Sequence, residues 1–199
     1  LLALQPDYLV ETASPAAMKE LALPALKNGT SVITLSIGAF ADTGFYEQVK
    51  KTAKENGTRV YIASGATGGF DVLRTITLMG HASAKFFNEK GNYALRKSVV
   101  YDPSLELEKR IVFEGTAKEA IDVFPTGLNV SVAASLASVG ADNMQVTMQS
   151  TPGFIGDTQR VEIENGEVRA VVDVYSATSD IAGWSVVSTL MNIVSPIVF

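Results

Sequence analysis

The stretch Thr58-Arg59-Val60-Tyr61-Ile62-Ala63, followed at once by Ser64-Gly65-Ala66-Thr67-Gly68-Gly69, decides how the chain is read. A short apolar run that empties into a glycine-rich turn and then a helical pattern from Phe70 to Met79 is the signature of a strand leading into a helix. Toward the N-terminus the same alternation repeats. Ser31 to Ile37 is rich in β-branched residues and reads as a buried parallel strand. Thr43 to Asn56 places Phe45, Val49 and Ala53 on one helical face and ends at Gly57. Before that, Tyr8 to Glu11 is a short strand, and Ser14-Pro15 supplies an N-cap and a proline in the first helical position. Met18, Leu21, Ala22 and Ala25 follow at helical spacing, Pro24 stands ready to kink the helix, and Asn28-Gly29 stops it. Strands alternating with helices predict a parallel α/β sheet with right-handed crossovers.

Beyond the turn the pattern changes. His81 to Phe87 alternates like a strand, and Asn88 to Glu108 is a polar stretch without a clear period. Thr116 to Phe124 is a short helix, and Leu128 to Val139 a second one of mostly small residues, which admit another backbone or a ligand close by. Asn143 to Gln149, Thr158 to Glu164 and Glu167 to Val174 read as strands, the last two joined by Asn165-Gly166, a strong hairpin signal. An apolar helix from about Ile181 to Ile193 ends the chain. The expected fold class is therefore α/β plus α+β: a partial Rossmann-type parallel sheet in residues 1–65, then an α+β domain in residues 66–199 with an open, mostly antiparallel sheet.

Composition bounds the function. The 199 residues are 47 % hydrophobic and 19 % charged, as in a compact folded protein, and the net charge of −5 argues against a nucleic-acid partner. No apolar stretch reaches the roughly 18 residues of a membrane span. With no cysteine and a single histidine, His81, a transition-metal site lacks its usual ligands, and Glu162 and Glu164 alternate along a strand as a solvated face. No export signal is evident, and a reduced cytoplasm fits the absence of cysteine. The chain opens Leu-Leu-Ala-Leu-Gln-Pro-Asp without Met and enters a strand almost at once, which reads as the later part of something longer.

Ser64 to Gly69 is the sharpest chemical feature. Glycines at the carboxyl end of a parallel strand let a backbone approach a ligand, and such sheets bind ligands beyond that edge. A hinge between two domains has equal standing on spacing alone, and the motif is not the G-x-G-x-x-G dinucleotide fingerprint. The cations Lys85, Lys90, Arg96, Lys97, Lys109 and Arg110 either recognise carboxylates or decorate a solvated loop.

Five collinear segments resemble the L-aspartate dehydrogenases: Val10-Glu11-Thr12-Ala13-Ser14-Pro15, Leu35-Ser36-Ile37-Gly38-Ala39, Ser64 to Asp71, Phe113 to Ala120, and Phe124-Pro125 with Asn129-Val130. The resemblance spans essentially the whole chain. It implies NAD(P)-dependent interconversion of aspartate and iminoaspartate, or oxaloacetate plus ammonia, on a Rossmann domain followed by a catalytic domain whose sheet forms a dimer interface. A small amino-acid or oxo-acid substrate, NAD or NADP as cofactor, a homodimer and a cytoplasmic location are the expectations. The family's nucleotide contacts fall on Ala66 and Asn129, with Gly65 in the same turn, and the segment beside the cofactor falls on Ala13, Ser14 and Pro15.

Two departures stand against these matches. The family's opening strand, G-x-G-x-x-G turn and helix have no counterpart in this sequence, so poor NAD(P) binding by the chain as written and an uncovered sheet edge are expected. The family's catalytic histidine falls on Gln159, which alternation places on the inward face with Val161 and Ile163. An amide donates and accepts hydrogen bonds but exchanges no proton near pH 7. A non-catalytic relative, either a small-ligand binder or a dimerising module, is the alternative these departures favour, with a purely structural fragment third.

Overall fold

The computed structural model describes residues 2–125 and 127–199. Three parallel strands, β1 (Tyr8–Glu11), β2 (Ser31–Thr34) and β3 (Val60–Ile62), lie in that order in one sheet. Helix α1 (Pro15–Lys27) connects β1 to β2, and α2 (Thr43–Glu55) connects β2 to β3. Their starts are fixed locally. The Ser14 side chain accepts a hydrogen bond from the Ala17 N–H, and the Asp42 side chain accepts one from the Phe45 N–H. Helix α1 runs through Pro24 without ending.

The strand expected over Ser31 to Ile37 stops at Thr34, and the next residues turn into a 3-10 helix, Ile37–Ala41. The cause is the buried Glu11 carboxylate. Its oxygens accept from the hydroxyls of Thr34 (2.8 Å) and Ser36 (3.0 Å), and the Ser36 N–H turns back onto Thr34 Oγ1 (2.9 Å). Captured this way, residues 35 and 36 leave the ladder. The third strand is likewise shorter than Thr58 to Ala63, because β3 has only Val32–Thr34 to pair with.

A second, mixed sheet has the order β5-β6-β4-β7-β8. Its strands are β4 (Ser83–Gly91), β5 (Arg110–Thr116), β6 (Gln145–Thr151), β7 (Asp157–Glu164) and β8 (Arg169–Ser176), and every pairing except β4 with β6 is antiparallel. Asn165-Gly166 makes the expected hairpin, with Asn165 Oδ1 accepting from the Glu167 and Val168 N–H groups. The polar stretch Asn88 to Glu108 carries the last four residues of β4, the one-turn helix α4 (Asn92–Leu95) and a 3-10 turn, and His81 lies ahead of the strand. Strand β5 is hidden in the sequence, because a bulge between Ile111 and Phe113 breaks its alternation.

Helices α3 (Phe70–Leu78), α5 (Ala117–Val123) and α6 (Asn129–Leu136) pack on the inner face of the mixed sheet over Phe86, Val146, Met148, Val161 and Ile163. Helix α6 also reaches the parallel sheet. Val132 and Ala133 join the core of α1 and α2, while Leu128, Val130 and Ala134 join that of the mixed sheet. Its small residues let one helix serve two cores at van der Waals distance. Helix α7 (Asp180–Val194) covers the other face of the parallel sheet through Val186, Leu190 and Ile193 against Ile33 and Ala63. No helix among the described residues is long and apolar enough to cross a membrane.

Candidate active site

The carboxyl ends of β2 and β3, the start of α6, the polar ends of β4 and β7 and the approach to α7 surround one cavity of about 390 Å³. Gly65, Ala66, Asn129 and Gln159 all line it, together with Leu35, Ile37 and Val130. Sequence reasoning drew these four residues from three separate stretches of the chain, and the fold brings them to a single space.

The turn is held from two sides. Gly65 has φ +64°, and a Cβ there would lie 3.0 Å from Val130 Cγ1. Its N–H donates to Ser185 Oγ (3.0 Å), and that hydroxyl donates to the Ala182 carbonyl within α7 (2.7 Å). The left-handed conformation is one that side chains with a Cβ rarely adopt. Asn129 is fixed by a bond to another element, its Oδ1 accepting from the Gly38 N–H at 2.8 Å. A Cβ on Gly38 would come within 2.6 Å of that oxygen and 3.5 Å of Pro15 Cγ. So the Ala13–Pro15 turn borders the Gly38–Asn129 contact, but Ala13, Ser14 and Pro15 do not line the cavity themselves. Their backbone is tied to Glu11, whose Oε1 accepts from the N–H groups of Ala13 (2.8 Å) and Ser14 (3.1 Å).

Gln159 lies on the inward face of β7, opposite Asn88 on β4 and Val174 on β8. Its side chain is 2 % exposed, and Oε1 is buried without a hydrogen-bond partner. Buried polar atoms are nearly always bonded, and an orphan costs on the order of 1–3 kcal/mol. An orphan on a cavity wall is an acceptor placed for something that enters.

Lys90 and Asp157 were not singled out on their own. Both line the cavity, with Lys90 Nζ 2.8 Å from Asp157 Oδ2. Asp157 Oδ1 in turn accepts from Asn88 Nδ2, which also donates to the Thr158 carbonyl. The signal was present in the sequence: had the alternation from Ala84 and Phe86 been carried two steps further, Asn88 and Lys90 would have fallen on the inward face. Ser176, Thr178 and Ser179, ahead of α7, complete the wall and could have been found only from the tertiary fold. The remaining cations of the basic segment do not line the cavity. Arg96 pairs with Glu106, Lys109 with Glu89 and Arg110 with Asp102.

The residues fit the nicotinamide end of a dinucleotide. Leu35, Ile37, Ala66 and Val130 offer an apolar surface without bulk, Asn129 supplies an oriented amide, and Gln159 holds an orphan oxygen nearby.

Known proteins share this arrangement of sequence and fold. A family model described as aspartate dehydrogenase, C-terminal, matches residues 71–193, and one described as homoserine dehydrogenase, NAD binding domain, matches residues 1–63. The L-aspartate dehydrogenase of Methanosarcina mazei is 32 % identical over 96 % of this chain and 75 % of its own length. That of Acinetobacter baumannii is 30 % identical over 96 % and 77 %. The crystal structure of the aspartate dehydrogenase from Thermotoga maritima superposes with a TM-score of 0.83 at 31 % identity, covering 97 % of this chain and 78 % of that one. With both sheets, their order of elements and nearly the whole sequence matched in this way, the chain belongs to the L-aspartate dehydrogenase family.

Proposed function

We propose that the protein is an NAD(P)-dependent oxidoreductase that interconverts L-aspartate and iminoaspartate, and in reverse aminates oxaloacetate reductively. The observation that carries this is the convergence of Ala66, Asn129 and the orphan Gln159 oxygen on one cavity. When bound, the nicotinamide supplies hydride chemistry at its C4. The chain's own residues then have three tasks. Leu35, Ile37, Ala66 and Val130 would border the ring and keep water from it. Asn129, held by its bond from the Gly38 N–H, would stand at the ring's edge and set its position. Gln159 accepts a hydrogen bond from the substrate's amine and so aims its Cα, without removing the proton.

Because Gln159 cannot titrate, the amine proton leaves to solvent. Turnover should therefore rise with pH as the amine deprotonates, with no inflection near the ordinary imidazole value of about 6.5. The test is NAD(P)H-linked turnover of aspartate, and of oxaloacetate plus ammonia, by the full-length protein beside its Gln159→His variant. A positioned general acid or base contributes about 10²–10⁴ in rate, so the variant should gain activity and acquire the missing inflection. If the parent is inactive and the histidine does not raise it, the inherited mechanism does not apply. The second reading, a non-catalytic small-ligand binder, draws its structural support from Gln159 and would then lead.

Residues 1–65 would form the later part of a nucleotide-binding domain and 66–199 a catalytic and dimerising domain, with α6 and α7 returning from the second part to flank the parallel sheet. A cytoplasmic homodimer is part of the same reading. Exposed Ile111, Val171 and Tyr175 on the outer face of the mixed sheet support that face as the contact. Sedimentation should find a dimer for the parent and a monomer for Val171→Asp; a monomeric parent would overturn it.

A further inference from the structure

We propose that Lys90 is the specificity-determining residue of the cavity, binding a carboxylate of the substrate, with Asp157 and Asn88 as positioning residues behind it. This rests on the oxidoreductase reading above. Lys90 is the one cation among the described residues that lines the cavity, and its side chain is only 15 % exposed. Cations in such places are held by partners, and here the holding is sequential. Asn88, wholly buried, gives both amide protons to acceptors it cannot exchange, Asp157 Oδ1 and the Thr158 carbonyl. That fixes which end of its amide is nitrogen and pins the Asp157 carboxylate. Asp157 Oδ2 then takes one Lys90 proton. An ammonium carries three protons, so two remain for an incoming carboxylate.

A purely structural ion pair accounts for less. Lys90 and Asp157 face each other across the β4–β7 ladder, which is already continuous from Ser83 to Lys90. A buried pair gives little net stability over an apolar pair of similar volume. What the ion pair adds is an oriented positive group on the cavity wall. It shares that wall with the unpartnered Gln159 oxygen and the hydroxyl-bearing Ser176, Thr178 and Ser179. A cation and an acceptor side by side match a molecule with both a carboxylate and an amine. Neutral side chains line the rest, which makes Lys90 the residue that separates acidic substrates from neutral ones.

The test uses succinate, a dicarboxylate without an amine, and reads its binding to the full-length protein by calorimetry without turnover. The parent should bind it, and Lys90→Met should bind it roughly ten- to a hundredfold more weakly, the usual loss for a charge-assisted hydrogen bond. Lys90→Arg should restore most of the affinity. Because Lys90→Met leaves Asp157 without its partner, the double variant Lys90→Gln/Asp157→Asn, which removes both charges, is measured alongside. In turnover, Lys90→Met should raise KM for aspartate while leaving KM for the nicotinamide cofactor unchanged. Succinate binding that persists undiminished in Lys90→Met or in the double variant, or that is absent from the parent, overturns the assignment. A parent that binds succinate through Lys90 but does not oxidise aspartate supports the carboxylate site and overturns the oxidoreductase reading instead.

Discussion

The inner face of β4 and β7 has two ends that obey different rules. At one end Ala84, Phe86, Val161 and Ile163 are buried against helices α3, α5 and α6, and every group is apolar. At the other, the same alternation delivers Asn88, Lys90, Asp157 and Gln159, with one amide oxygen on Asn88 and one on Gln159 left without a partner. The strands do not change register between the two ends; only the side chains do. Folding is driven at the first end, where burial of apolar area is favourable. At the second the chain tolerates unsatisfied polar atoms, which a folding requirement alone would have replaced.

Substitutions at the two ends should therefore differ in kind. Phe86→Ala removes a fully buried ring and should cost about 3–5 kcal/mol in chemical denaturation, while activity per folded molecule stays close to the parent's. Loss of turnover without loss of stability would reverse the assignment of the two ends. A control from outside the face is Asp42, the N-cap of α2. Asp42→Ala should cost about 0.5–2 kcal/mol as the cap is lost. The hydrogen bond from Lys19, and then that from the Phe45 N–H, hold the Asp42 carboxyl below its ordinary value. A depressed carboxyl contributes stability that is present above its unfolded pKa and disappears as pH falls through the folded one. The gap between Asp42→Ala and the parent should thus close in acid, and the ionic part should shrink in salt because the pair is exposed. A gap that widened toward low pH would contradict the sign. The smallest stability change belongs to Gln159→Leu, which removes an orphan oxygen from a buried site. Denaturation should place it within about 1 kcal/mol of the parent or above it. Its turnover should nonetheless be lost, and a variant both stable and fully active would remove Gln159 from the site.

The sequence announced some of this and concealed the rest for identifiable reasons. The β1 to β3 region was legible because Ser14-Pro15, Asn28-Gly29 and the β-branched runs act locally. Its shortfalls, the early end of β2 and the short β3 that pairs with it, come from Glu11 reaching Thr34 and Ser36 more than twenty residues away. Gln159 was legible as inward-facing from parity alone. Lys90 follows from the same parity only once β4 is known to run on to Gly91, and that length is set by its two neighbours, β6 along Lys85–Gly91 and β7 along Ser83–Lys90. The bulge in β5 hid that strand, and the wall from Ser176 to Ser179 exists only once α7 folds back over the parallel sheet.

The most direct measurement is a crystal structure of the full-length protein with a nicotinamide dinucleotide and succinate bound together. The account predicts the nicotinamide ring beside Ala66 and Asn129, with a succinate carboxylate at hydrogen-bond distance from Lys90 Nζ, roughly 2.7–3.2 Å. A ring seated elsewhere, or succinate bound away from Lys90 and Gln159, would contradict it.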